Sequence, residues 1–137
     1  MTKERLRNYQ KLKHEQQQIQ DQLAKVEAAL YYPKNQQLTG MPSAPAEGNP
    51  QEDLAIRHIE LVERYKAQMA ELAAEQLAIE KAIDTLDPTA RMLLRYRYID
   101  GLPWEEVCIK ISYSWNHTHR LHGAALQKLK ELEDVEA

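Results

Sequence analysis

Leu86 to Leu129 reads LDPTARMLLRYRYIDGLPWEEVCIKISYSWNHTHRLHGAALQKL, and its punctuation decides the fold of the C-terminal part of the chain. Asp87 before Pro88 predicts a helix start, because an aspartate side chain accepts from the free N–H groups of a first turn and proline suits the first helical position. Asp100-Gly101 predicts the end of that helix, since glycine takes the left-handed conformation that closes it. Pro103 opens a second helix, with Glu105 and Glu106 in its first turn, where acids suit the dipole. Ser112-Tyr113-Ser114 is a short turn, and Ser114 caps a third helix that starts at Trp115. Two helices so closely joined after a first have the spacing of a helix-turn-helix, which sets its last helix in the major groove of DNA.

The faces of these helices follow from apolar spacing. Met92, Leu93, Tyr96 and Ile99 form the apolar side of the first, with Arg91, Arg95 and Arg97 supplying charge. Trp104, Val107, Cys108 and Ile111 form the inward side of the second. On the third, Thr118, Leu121, Ala125 and Leu129 point inward, with His122 or Leu126 at the border. The opposite face carries Trp115, Asn116, His119, Arg120 and Gly123, with His117 on its flank. Asparagine reads adenine and arginine reads guanine through paired hydrogen bonds, and both stand near the helix start, the part that enters the groove. The expected reading surface is Trp115, Asn116, His117, His119 and Arg120, with Lys110 and Lys128 as candidate contacts to the DNA backbone.

Upstream, Tyr9, Leu12, Gln16, Ile19, Leu23, Val26 and Leu30 alternate by three and four residues, the seam of a coiled coil. Val62, Tyr65, Met69, Leu72, Gln76, Ile79, Ile83 and Leu86 repeat the pattern. Between the two lies PKNQQLTGMPSAPAEGNP, residues 33–50, whose four prolines predict a flexible linker. The linker permits either an antiparallel hairpin or pairing with a second copy. Gln16 and Gln76 fall at equivalent seam positions, where a parallel homodimer sets each against its own copy, so a homo-oligomer through the coiled coil is the expectation. The whole is all-α: a coiled-coil helix over 1–32, the linker, a second coiled-coil helix over 51–86, the three-helix module over 87–130, and an acidic tail over 131–137.

Charge and composition narrow the function. The 137 residues carry a net charge of −3, which argues against indiscriminate nucleic-acid binding. Residues 86–130 nevertheless hold seven Lys or Arg against four acids, a local +3 that the acidic tail masks. One cysteine, Cys108, rules out an internal disulfide, and it lies on an apolar face without an activating base. The basic N-terminus is followed by no apolar run, so neither a signal peptide nor a membrane span is expected, and a cytoplasmic location follows. His117, His119 and His122 lack a fitting further ligand, so neither metal nor cofactor is expected. A phosphate-binding glycine loop, a paired-carboxylate site and a nucleophile elbow are missing from the sequence, so no enzyme is expected.

The run Leu94-Arg95-Tyr96, Asp100-Gly101, Trp104-Glu105-Glu106-Val107, Tyr113-Ser114 and Arg120-Leu121-His122-Gly123 with Ala125-Leu126 resembles region four of sigma factors and phage late-gene regulators of the ArpU and RinA kind. Gly40-Met41-Pro42 in the linker is similar to phage proteins that share this tail. The resemblance implies a phage or prophage protein in the bacterial host cell that binds double-stranded DNA and regulates transcription of late genes, with RNA polymerase as a further partner. The chain departs from the sigma pattern at Pro103, where a small capping residue is usual, and at Ala124, where a basic one is common. It also lacks any region for opening a promoter, so a complete sigma factor is not expected. Two other functions fit the same parts: a small terminase-like packaging protein, and a helical adaptor that holds RNA polymerase without reading DNA.

Overall fold

The computed structural model describes residues 1–32 and 49–136, and every element in them is helical. The helices are α1 (Lys3–Tyr31), α2 (Pro50–Ile83), α3 (Pro88–Leu94), α4 (Trp104–Ile111) and α5 (Trp115–Glu136), with a π-helical turn at Arg95–Ile99 continuing α3. Most of the linker expected over 33–50 lies outside the described residues. Its last two residues instead begin α2: the Asn49 side-chain oxygen accepts from the N–H groups of Gln51 at 3.1 Å and Glu52 at 3.4 Å. Pro50 takes the first helical position, where its missing N–H costs nothing. Among the described residues, no helix is long and apolar enough to cross a membrane.

Two compact units divide the chain. In the unit His14–Ala70, the Gln20 amide donates to the Tyr65 hydroxyl at 3.1 Å, His58 meets Glu27 at 3.1 Å, and the Gln51 amide donates to the Leu30 carbonyl at 3.4 Å. Rising numbers on α1 meet falling numbers on α2, so the helices of one chain run antiparallel here. This is the hairpin alternative that the sequence left open. In this part of α2 the buried row lies one position from the expected seam, with Leu61 fully buried and Met69 46% exposed, whereas further along the chain Ile79, Ile83 and Leu86 are buried as expected. Gln68, not Met69, turns a buried oxygen inward. A helix with 3.6 residues per turn drifts by about 20° per heptad against a 3.5-residue pattern, so over a helix this long the inward row moves by one residue.

The second unit joins Met1–Lys13 to Glu71–Ala137. Its core contains Leu6 and Tyr9 of α1, Ile79 and Ile83 of α2, and Leu93, Leu94, Val107 and Leu129 from the C-terminal helices. The compact units divide the chain after Lys13 and after Ala70. The ends of α1 and α2 thus add apolar surface to the core of the three short helices. Polar contacts reinforce the junction: Arg5 donates twice to Glu75 at 3.1 Å, the Tyr9 hydroxyl to Gln76 at 3.1 Å, and the Gln10 amide to the Arg97 carbonyl at 2.9 Å. The N-terminal ammonium pairs with Glu133. That glutamate belongs to α5, because residues 131–136 continue the helix and do not form a separate acidic tail.

Asp87 caps α3, its carboxylate accepting from the Ala90 N–H at 3.4 Å, and Gly101 takes φ +72° after the helix end. Between these points the π-helical turn changes which residues face the core. The Asp100 N–H donates to the Arg95 carbonyl, five residues back, at 2.9 Å. The wider turn carries the buried set from Leu93 and Leu94 to Tyr98 and Ile99. Met92 is 44% exposed, which corrects its expected place on the apolar face, whereas Tyr96 is half-buried and packs against the core as expected.

Candidate nucleic-acid interface

The turn between α4 and α5 is built from three residues with distinct roles. Ser112 closes α4 in the left-handed conformation, φ 62°, which a non-glycine residue adopts at a cost of about 1 kcal/mol. In that conformation its N–H reaches the Ile109 carbonyl at 3.2 Å, and the Tyr113 N–H reaches that of Cys108 at 3.2 Å. Ser114 caps α5, its hydroxyl accepting from the His117 N–H at 3.2 Å. No acid stands in the first turn of α5, so the positive end of its dipole is not offset.

Thr118, His122, Ala125 and Leu129 are buried, a stripe one side wide down α5. On the opposite side Asn116 and Arg120 are exposed, four residues apart and so on neighbouring turns of one face. Trp115, half exposed, packs on the His119 ring with centroids 4.4 Å apart. His119 does not stand free on the outer face: its other side meets Trp104 at 4.5 Å, and its Nε2 is buried without a hydrogen-bond partner among the described residues. The aromatic neighbours on either side draw this ring inward. His117 lies half-buried on the flank against Tyr113, centroids 4.5 Å apart.

Lys110 is exposed on the last turn of α4. Lys128 is exposed on α5 but stands eight residues beyond Arg120, about 12 Å further along the axis, so it does not join the cluster at the helix start. The structure thus groups Trp115, Asn116, His117, His119 and Arg120 at one end of α5 and leaves Lys128 apart.

Sequence reading overlooked the residues behind this face. Arg97 lies over the Trp104 ring at 4.8 Å and donates to the Leu102 carbonyl at 3.0 Å. Trp104 also meets His122 edge-on at 4.6 Å, and the Tyr98 hydroxyl shares a 2.7 Å hydrogen bond with His122 Nε2. Burial, aided by the charges of Lys3, His119, Arg97 and Arg7, holds the His122 pKa down to about 4, so its ring is neutral near pH 7 and contributes no charge to the surface. Of the three α5 histidines, His119 and His122 share Trp104 as a neighbour, while His117 packs on Tyr113. Among the described residues, no three His, Cys, Asp or Glu side chains are grouped so as to hold a metal. The spacing of Trp115 and His119 by four residues was a usable signal for their contact. Nothing in the sequence indicated that Trp104 would lie between His119 and His122. Comparison with protein-family models, with curated proteins and with solved structures finds no match to this chain.

Proposed function

We propose that this protein is a sequence-specific double-stranded DNA-binding regulator of transcription, of phage or prophage origin and acting on late genes. In this reading α3, α4 and α5 form a helix-turn-helix module and the start of α5 enters the major groove. The observation that carries it is the exposed pair Asn116 and Arg120 on a helix whose other side is buried. Both residue types read base edges through paired hydrogen bonds, and their place near the helix start is the place that reaches the bases. The uncompensated N-terminus of α5, the exposed Trp115 and the exposed Lys110 support the same orientation, since each suits a phosphate or sugar at the groove edge.

The module carries only a small positive excess, so a single copy neutralises few phosphates and binds weakly. Two copies on two half-sites overcome this, and the long α1–α2 arm, read as a coiled coil, is the element that joins them. The protein then works in the cytoplasm of a bacterial host, where its DNA target lies.

Selection of bound duplexes from a random pool by the purified protein tests this reading. A recurring sequence is expected, bound more weakly by about 1 to 3 kcal/mol when Asn116→Ala or Arg120→Ala is introduced. Recovery of unenriched DNA by a folded protein would count against it.

A further inference from the structure

A cavity of about 160 Å³ opens in the unit made of residues 1–13 and 71–137. Lys3 and Arg7 of α1, together with Arg97, line it beside Trp104, His119 and His122, and Gln10 and Tyr98 complete the wall. No carboxylate lines it. Lys3 and Arg7 are four residues apart on one helix, a spacing at which like charges repel. Among the described residues neither they nor Arg97 has a carboxylate partner, although Arg5 and Arg95 nearby in sequence are both paired with glutamates.

Three cations around one concavity, without an acid, make a local positive potential that the low-dielectric walls concentrate. His119 and His122 set two imidazole rings in the wall of the same concavity. The same field contributes to the depressed pKa of His122, after burial. Arg97 is already oriented, by the Leu102 carbonyl and by the Trp104 face, so closing on an anion costs it little freedom.

We propose that this cavity binds one phosphate-type oxyanion, held by Lys3, Arg7 and Arg97 beside the rings of His119 and His122. Size agrees: the volume is enough for a tetrahedral anion of five heavy atoms. Arginine presents a planar fork that donates to two phosphate oxygens at once, and lysine adds a point charge. The chemistry is the same for free phosphate and for a phosphodiester of duplex DNA. Only the second source rests on the proposed function, through Trp115, which packs on His119.

The test uses the full chain and NMR of the histidine rings. Titration with inorganic phosphate, at ionic strength matched with chloride, is expected to move the His119 and His122 signals saturably and to raise the pH at which His122 titrates. Arg7→Gln and Lys3→Gln, both at exposed positions, are each expected to weaken phosphate binding by about tenfold, whereas Lys66→Gln leaves it unchanged. Duplex DNA that moves the same two rings and is displaced by phosphate identifies a backbone phosphate as the occupant; phosphate binding that duplex DNA leaves untouched identifies a free anion. Rings that respond to neither, or that respond equally in wild type and in Arg7→Gln, overturn the proposal.

Discussion

The Tyr98 hydroxyl and His122 Nε2 lie 2.7 Å apart in the core that joins the π-helical turn to the middle of α5. Burial raises the pKa of the tyrosine and lowers that of the histidine, so the pair is neutral on both sides near pH 7. A neutral pair suits this place, because a buried charge beside Lys3, Arg7 and Arg97 would be strongly disfavoured.

That relationship sets a pH dependence. Unfolded, the histidine binds a proton near pH 6.5, and folded only near about 4, so between these values the unfolded state holds more protons and stability falls as pH falls. The full loss is about 3 kcal/mol and is complete below about pH 4. Glu75, whose pKa is lowered by the Arg5 guanidinium, acts in a more acidic window: its contribution is present above its ordinary carboxylate pKa of 4.5 and is lost as pH falls below it. Urea unfolding at pH 7 and pH 5 is expected to show the histidine effect in wild type and to lose most of it in His122→Gln.

Leu6 tests whether the C-terminal helices form an independent body. It is fully buried in their core although it belongs to α1, so Leu6→Ala is expected to cost about 2 to 4 kcal/mol. Both tryptophans, Trp104 and Trp115, stand in α4 and α5, and their fluorescence reports on those helices. The variant's tryptophan transition should move to lower denaturant together with its far-ultraviolet dichroism. A tryptophan transition unchanged by the substitution would mean that residues 87–130 fold without α1.

The extent to which the sequence revealed this architecture varied by element, for physical reasons. Asp87, Gly101 and Ser114 act through neighbours within a few residues, so the starts of α3 and α5 and the break before α4 were legible, whereas the extension of α5 through 131–136 was not. The inward row of α2 was legible only in part, since a one-residue drift between Leu61 and Ile83 accumulates slowly along a long helix. The π-helical turn was not legible: Arg95 to Ile99 suits an ordinary helix, and only packing selects the wider turn that buries Tyr98. On the candidate face, Asn116 and Arg120 followed from helical spacing. The inward pull on His119 required knowledge of where Trp104 would lie.

Gln16 and Gln68 each bury a side-chain oxygen without a partner among the described residues. An unpaired buried acceptor costs about 1 to 3 kcal/mol, so Gln16→Leu combined with Gln68→Leu is expected to raise stability by about 2 kcal/mol. Thermal unfolding of the double variant should therefore show a higher midpoint than wild type.

Ser112 holds a left-handed backbone without the freedom of glycine. Ser112→Gly relieves that strain but gives the unfolded chain more freedom, and the two together leave a gain of up to about 1 kcal/mol. Thermal unfolding measures it, and a loss of stability would show that the serine side chain contributes something the turn geometry does not account for.

Binding of wild type and of Arg120→Ala to the selected duplex, and to its single-base variants, tests the central claim most directly. If Arg120 reads a base from the start of α5, the substitution weakens binding to the preferred duplex by about 1 to 3 kcal/mol and removes discrimination at one base pair while preserving it elsewhere. Equal affinity of the two proteins for every duplex would contradict the assignment of this face of α5 to DNA reading.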